Sequence, residues 1–132
     1  MPSSDHEPEP FRCEIEPDRI AVRVRPVGEL DLATVPIVEA QLAELWSVGF
    51  TRLVLDLREV VFLDSAGVRL LVSWHAHGSA DGIVFGVIPG PPPVQQVLEI
   101  TGVADHLTYW SPNGSGPVEV SREASAPAPI TS

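Results

Sequence analysis

Hydrophobic and polar residues alternate from Phe11 to Arg25. Phe11, Cys13 and Ile15 are separated by Arg12 and Glu14 and followed by Glu16, while Ile20, Val22 and Val24 alternate with Ala21, Arg23 and Arg25, with Pro17-Asp18 between the two runs. A period of two on either side of a turn signal predicts an antiparallel hairpin with one wet face, on which Glu14 and Glu16 oppose Arg23 or Arg25. Pro26 to Leu32 drops the alternation and is predicted to be a loop centred on Gly28-Glu29-Leu30-Asp31. From Thr34 and Pro36 the period lengthens to that of a helix. Val35, Val38, Leu42, Leu45 and Trp46 form one stripe, Glu39, Gln41 and Glu44 lie outside it, and Gly49 is placed to end it.

The next stretch is the most apolar. Leu53, Val54, Leu55 and Leu57, interrupted by Asp56, read as a strand buried on both faces of a parallel sheet. After a polar corner at Arg58-Glu59, Val60 to Leu63 return the chain to the core. At Asp64-Ser65 the period changes again, with Val68, Leu71 and Val72 at helical spacing up to a stop near Gly78 to Gly82, and Ser65 stands where an N-cap belongs. Ile83 to Ile88 is a second buried strand, broken by Gly86. Pro89 to Pro93 turns the chain, and Val94, Val97, Leu98 and Thr101 continue as a helix closed by Gly102. Leu107 to Trp110 is a final short strand or a turn packed on the sheet. The predicted fold class is α/β: one domain with an N-terminal hairpin and a mixed sheet whose parallel core strands pack against helices.

The flanks differ in kind. Residues 1–10 hold Asp5, Glu7, Glu9 and three prolines and are expected to be a disordered acidic leader; residues 111–132, rich in Pro, Ser and Ala, are expected to be a disordered tail. The domain is placed at 11–110. Its length, within a chain of 132 residues that is 44% hydrophobic, suffices for a real core. The formal net charge of −10 argues against nucleic acid or an anionic membrane as partner, because both need cationic side chains. All eight basic residues are arginine. A single cysteine, Cys13, forms no internal disulfide, no secretory signal opens the chain, and no apolar run approaches the ~20 residues of a spanning helix, so a soluble cytoplasmic protein is expected.

Candidate chemistry centres on Ser65. Its plainest role is to cap the helix that follows. A hydroxyl at a helix start can also carry a phosphate, because an anion there meets unsatisfied N–H groups and the positive end of the helix dipole. Gly67, without a β-carbon, leaves room for another chain or a phosphate. Asp64 either bonds the loop or orients the Ser65 hydroxyl, and Glu29 and Asp31 on their simplest reading are turn residues. Other chemistry is not supported. Of the four histidines, His75 and His77 lie on different faces of a helix, His6 is in the leader and His106 in a late turn, so no metal site is expected. Leu63 stands where a hydrolase elbow needs glycine. A phosphate-cradling loop would want a lysine, and there is none. Cys13 reads as a small core residue, and Trp46, Trp74 and Trp110 as packing residues. No catalytic residue and no cofactor is assigned.

Three motifs in order carry a resemblance: GELD at Gly28 to Asp31, DSAG at Asp64 to Gly67 after an apolar strand, and PPPVQQVLEITGV at Pro91 to Val103. Together the residues from Phe11 to Trp110 resemble the STAS domain of bacterial anti-sigma factor antagonists. The resemblance implies a non-enzymatic regulator that binds an anti-sigma factor serine kinase while Ser65 is unmodified, frees a sigma factor, and is switched off when the kinase phosphorylates Ser65; a phosphatase resets it. It further implies a partner surface made of Asp31, Asp64, Ser65, Ala66, Gly67 and Arg69, with Ala66 standing where many members carry a second serine. The protein is expected to be a monomer or weak homodimer. The alternative is a STAS module that is a constitutive subunit of a transporter ATPase or signalling assembly, with Ser65 only a cap.

Overall fold

In the computed structural model, residues 10–17, 21–112 and 116–118 are described. The alternating runs pair as their polarity requires. β1 (Arg12–Pro17) lies antiparallel to β2 (Val22–Leu30), with Glu14 opposite Arg25 and Glu16 opposite Arg23. The predicted ion pairs form on this face, Arg23 Nη2 to Glu16 at 2.8 Å and Arg25 to Glu14 and Glu16 at 3.5 and 3.4 Å. β2 does not stop at Pro26. It runs on to Leu30, so the loop expected from Pro26 to Leu32 is strand for most of its length. Beyond a bulge at Gly28, whose φ of 121° suits glycine, β2 acquires a different neighbour.

That change of neighbour organises the sheet. Val22 to Val24 pair in parallel with β3 (Arg52–Asp56), while Gly28 to Leu30 pair in parallel with β4 (Val60–Leu63). β5 (Val84–Ile88) lies parallel to β3, β6 (Tyr109–Trp110) parallel to β5, and β7 (Pro117–Val118) antiparallel to β6. The strand order is therefore β1-β2-β3-β5-β6-β7, with β4 attached to β2. Order thus extends past residue 110 into the segment expected to be unstructured, while residues 1–9 of the expected leader and 113–115 and 119–132 of the tail lie outside the described residues.

Three helices cover one face: α1 (Val35–Ser47), α2 (Ser65–Asp81) and α3 (Pro92–Ile100), followed by a 3-10 turn over Val103–His106. Val38 and Leu42 of α1, Leu70, Leu71 and Trp74 of α2, and Val94 and Leu98 of α3 meet Leu53, Leu55, Leu57, Phe85 and Val87 of the central strands and their ends. The inward stripe of α2 is rotated from the predicted one, since Val72 is 45% exposed and Leu70 and Trp74 take its place. β5 is not broken at Gly86. Its missing β-carbon opens a slot for the Trp110 indole on the opposite face, where Ala21, Val54, Ile88 and Trp110 form a smaller cluster. β4 only half returns to the core: Val60 and Leu63 are buried, but Val61 and Phe62 are 64% and 50% exposed, because β4 pairs with β2 alone.

Candidate functional site

Leu30 of β2 and Leu63 of β4 are register partners, so the next turn of each parallel strand brings Asp31 and Asp64 side by side at the carboxyl ends. Sites in open α/β sheets form at such ends. The two loops are then joined by hydrogen bonds. The Asp64 N–H donates to the Leu30 carbonyl at 3.3 Å, and Asp64 Oδ2 accepts from the Leu32 N–H at 3.3 Å.

The other carboxylate oxygen of Asp64 does the capping. Oδ1 accepts from the N–H groups of Ala66 at 2.9 Å and Gly67 at 3.1 Å, and Asp64 has the extended backbone of an N-cap (φ −105°, ψ −171°). This corrects the assignment of the cap to Ser65. Aspartate and serine are comparable caps, and Asp64 wins because one carboxylate can both cap α2 and hold the Leu32 N–H. Ser65 is consequently the first helical residue, exposed to solvent. An anion on Ser65 would also find the Ala66 and Gly67 donors already taken.

Asp31 organises its own turn. Its Oδ1 accepts from the Ala33 and Thr34 N–H groups at 3.0 and 3.1 Å, its N–H donates to Thr34 Oγ1 at 2.9 Å, and that hydroxyl donates to the Glu29 carbonyl at 2.7 Å. α1 begins immediately afterwards. The turn role is therefore realised, and Leu32 at its tip is 73% exposed.

Two predicted site residues point inward. Ala66 is buried, and a β-carbon on Gly67 would collide with the Leu63 side chain and stand 2.9 Å from the Leu30 carbonyl. The space at Gly67 is thus filled by the protein's own strand ends, and the expectation that it admits a partner chain or phosphate is corrected. Arg69 is exposed, four residues beyond Ser65 and so on the same side of α2.

Asp56, which in the sequence only interrupts an apolar run, is a buried charged group. The Asp56 side chain is fully buried at the end of β3, yet it accepts from Arg58 Nε at 3.0 Å, Arg58 Nη2 at 2.8 Å, the Arg58 N–H at 3.1 Å and Arg25 Nε at 3.2 Å. Burial pushes its pKa up, but the hydrogen bonds and charge of Arg58, with Arg25, outweigh that and hold the carboxyl below its ordinary value. A lone acid in an otherwise apolar strand, with arginines two residues on and on the neighbouring strand, is the signal that could have revealed it. The group is a brace across β2, β3 and the following corner, not part of the Ser65 site. Cys13 is half-buried on β1, and burial followed by the neighbouring Glu14 pushes its thiol up to about 11, which leaves it protonated near neutrality. His75 and His106 line one cleft of about 380 Å³ beside Val72, Val103 and Leu107, while His77 bonds Asp81 at 2.7 Å and packs on Trp46 and Trp74. Among the described residues no cluster of three metal-ligating side chains forms, and no helix is long and apolar enough to cross a membrane.

The fold that carries this site has counterparts. The family model described as "Mlab, STAS domain" matches residues 13–109. The chain belongs to the STAS domain family. Solved STAS-like structures agree on the fold. An anti-sigma factor antagonist from Mycobacterium paratuberculosis is 24% identical over 79% of this chain and 88% of its own, with a TM-score of 0.69. The unphosphorylated form of the anti-sigma factor antagonist SpoIIAA is 20% identical over 77% and 90%, with a TM-score of 0.65. The phosphorylated form of SpoIIAA, described as a Bacillus cell fate determinant, is 21% identical over 79% and 94%, with a TM-score of 0.59. Identities at this level establish the architecture of the STAS domain. No curated protein sequence matches.

Proposed function

We propose that this STAS domain is an anti-sigma factor antagonist, acting in the cytoplasm, whose binding surface is switched by a phosphate on Ser65. With Ser65 unmodified, the domain binds an anti-sigma factor serine kinase and so releases a sigma factor. The kinase inactivates it: Ser65 Oγ attacks the γ-phosphorus of ATP, the bond to the β,γ-bridging oxygen breaks, ADP leaves, and the hydroxyl proton passes to a base on the kinase. A phosphatase hydrolyses the ester and restores the surface. The domain contributes an acceptor and a shape and performs no catalysis.

The observation that carries this reading is the position of Ser65. It is exposed at the first residue of α2, it is relieved of capping by Asp64, and the same Asp64 holds the Asp31 loop beside it. The partner surface consists of Ser65, Arg69, and the loop from Asp31 to Leu32. Asp64 fixes their geometry, and the buried Ala66 and Gly67 let α2 approach the strand ends. Phosphorylation adds about 1.5–2 negative charges next to Asp64. At a few ångströms and an effective dielectric near 20, the repulsion is a few kcal/mol, against about 1.4 kcal/mol for each tenfold change in affinity. An acidic domain of this kind favours a basic partner and fast encounter. Solved antagonists of the same fold in phosphorylated and unphosphorylated forms support the reading. A second reading, a constitutive subunit of a transporter ATPase or signalling assembly with Ser65 unmodified, draws on the matching family model, whose description names Mlab and not an antagonist.

Incubation with ATP and the cognate kinase-type anti-sigma factor, followed by mapping of phosphate by mass spectrometry, separates the two. The proposal expects one phosphate, on Ser65, and none in Ser65→Ala. Unmodified Ser65 after exhaustive incubation favours the second reading.

A further inference from the structure

A phosphate on the exposed Ser65 would attract any cationic group within reach, and the surroundings offer few. The N–H groups of Ala66 and Gly67 are bound to Asp64 Oδ1, and the adjacent carboxylate repels a second anion. The remaining candidates are arginines, since the chain has no lysine. Arg12, Arg23, Arg25 and Arg58 are each paired with Glu14, Glu16 or Asp56. Arg19 and Arg122 lie outside the described residues. Arg52 opens β3 and therefore sits at the end of the parallel sheet opposite the start of α2. Arg69 remains: exposed, in no ion pair among the described residues, and four positions after Ser65 on α2. Residues four apart on a helix are neighbours, with β-carbons about 6 Å apart, a gap that a phosphoserine and a guanidinium bridge with ease. Guanidinium also matches two phosphate oxygens at once.

We propose that Arg69 is the internal counter-ion of phosphorylated Ser65. The proposal deepens the switch described above and rests on Ser65 being its phosphate acceptor. In the unmodified protein Arg69, in no ion pair among the described residues, is exposed to a partner. Once Ser65 carries phosphate, Arg69 turns to it. The off state then differs from the on state twice over, by a charge gained at Ser65 and by a cation withdrawn from the surface one turn away. Arg69 is a positioning residue here and takes no part in phosphoryl transfer.

The test uses full-length protein with phosphoserine installed at position 65 by genetic encoding, so that no kinase is needed. Phosphorus NMR follows the second ionisation of the phosphate with pH. In wild type the midpoint should lie about 0.2–0.4 pH units below that of Arg69→Gln, the size expected of a helix ion pair. Arg69→Lys should recover part of the shift, Arg52→Gln should leave the wild-type midpoint unchanged, and 1 M salt should abolish the difference. Circular dichroism checks that every variant is folded. Equal midpoints in wild type and Arg69→Gln would overturn the proposal, as would an equal effect of Arg52→Gln. Failure of the cognate kinase to modify Ser65 is a separate result: it overturns the switch and leaves the ionisation shift to decide Arg69.

Discussion

Asp64→Ala probes the joint on which the site is built. The substitution removes the acceptor for three backbone N–H groups, those of Ala66, Gly67 and Leu32. Loss of an N-cap costs about 0.5–2 kcal/mol, and the longer bond to Leu32 adds at most about 1 kcal/mol. The sum of about 0.5–3 kcal/mol corresponds to a fall in melting temperature of roughly 2–20 °C for a domain of this size. Asp64→Asn keeps a capping oxygen and should recover most of it. Ser65→Ala, at an exposed position that caps nothing, should stay within about 0.5 kcal/mol of wild type. Urea titrations followed by circular dichroism, with the three variants and wild type under one set of conditions, give the ranking. A Ser65→Ala loss equal to or greater than that of Asp64→Ala would refute the assignment of the cap, and with it the claim that the Ser65 hydroxyl is left free for modification.

Two further outcomes follow from the packing and the charges. Asp56→Asn should destabilise by about 2–3 kcal/mol near pH 7, because it leaves Arg25 and Arg58 without their shared acid. The folded carboxyl binds its proton more weakly than the unfolded one, so the Asp56 contribution is complete above the ordinary carboxylate pKa near 4 and is lost as pH falls below it; the gap between wild type and Asp56→Asn should therefore narrow from pH 6 to pH 3 in thermal melts, and a constant gap would contradict the ionic brace. Gly67→Ala places a methyl group 2.9 Å from the Leu30 carbonyl and against Leu63; a loss of about 1–3 kcal/mol in chemical denaturation is expected, whereas a neutral or stabilising effect would show that the start of α2 is not seated on the strand ends.

The parts of this fold that were legible in the sequence are those where pattern and burial coincide. The hairpin follows from a period of two, β3 and β5 from continuous apolar runs, and the start of α1 at Thr34 from a period of 3.6. The errors fall where a tertiary partner overrides a local signal. Gly28 and Pro26 suggested a loop, but pairing with β1 and β4 carries β2 through to Leu30. Gly86 suggested a break, but the glycine exists to admit Trp110. Two adjacent capping residues, Asp64 and Ser65, could not be ranked locally, since the deciding contact comes from Leu32, thirty-two residues earlier. The candidate site was legible as a cluster of motifs at the carboxyl ends of strands. Its division of labour, with Asp64 holding, Asp31 turning and Ser65 exposed, depends on hydrogen bonds between segments that no periodicity encodes.

In the proposed switch, a phosphate on Ser65 decides whether a protein partner binds. Calorimetric titration of the cognate anti-sigma factor kinase with the unmodified protein and with protein carrying phosphoserine at position 65 tests it most directly. At least a tenfold weaker affinity for the phosphorylated form is predicted; equal or tighter binding of that form would contradict the account.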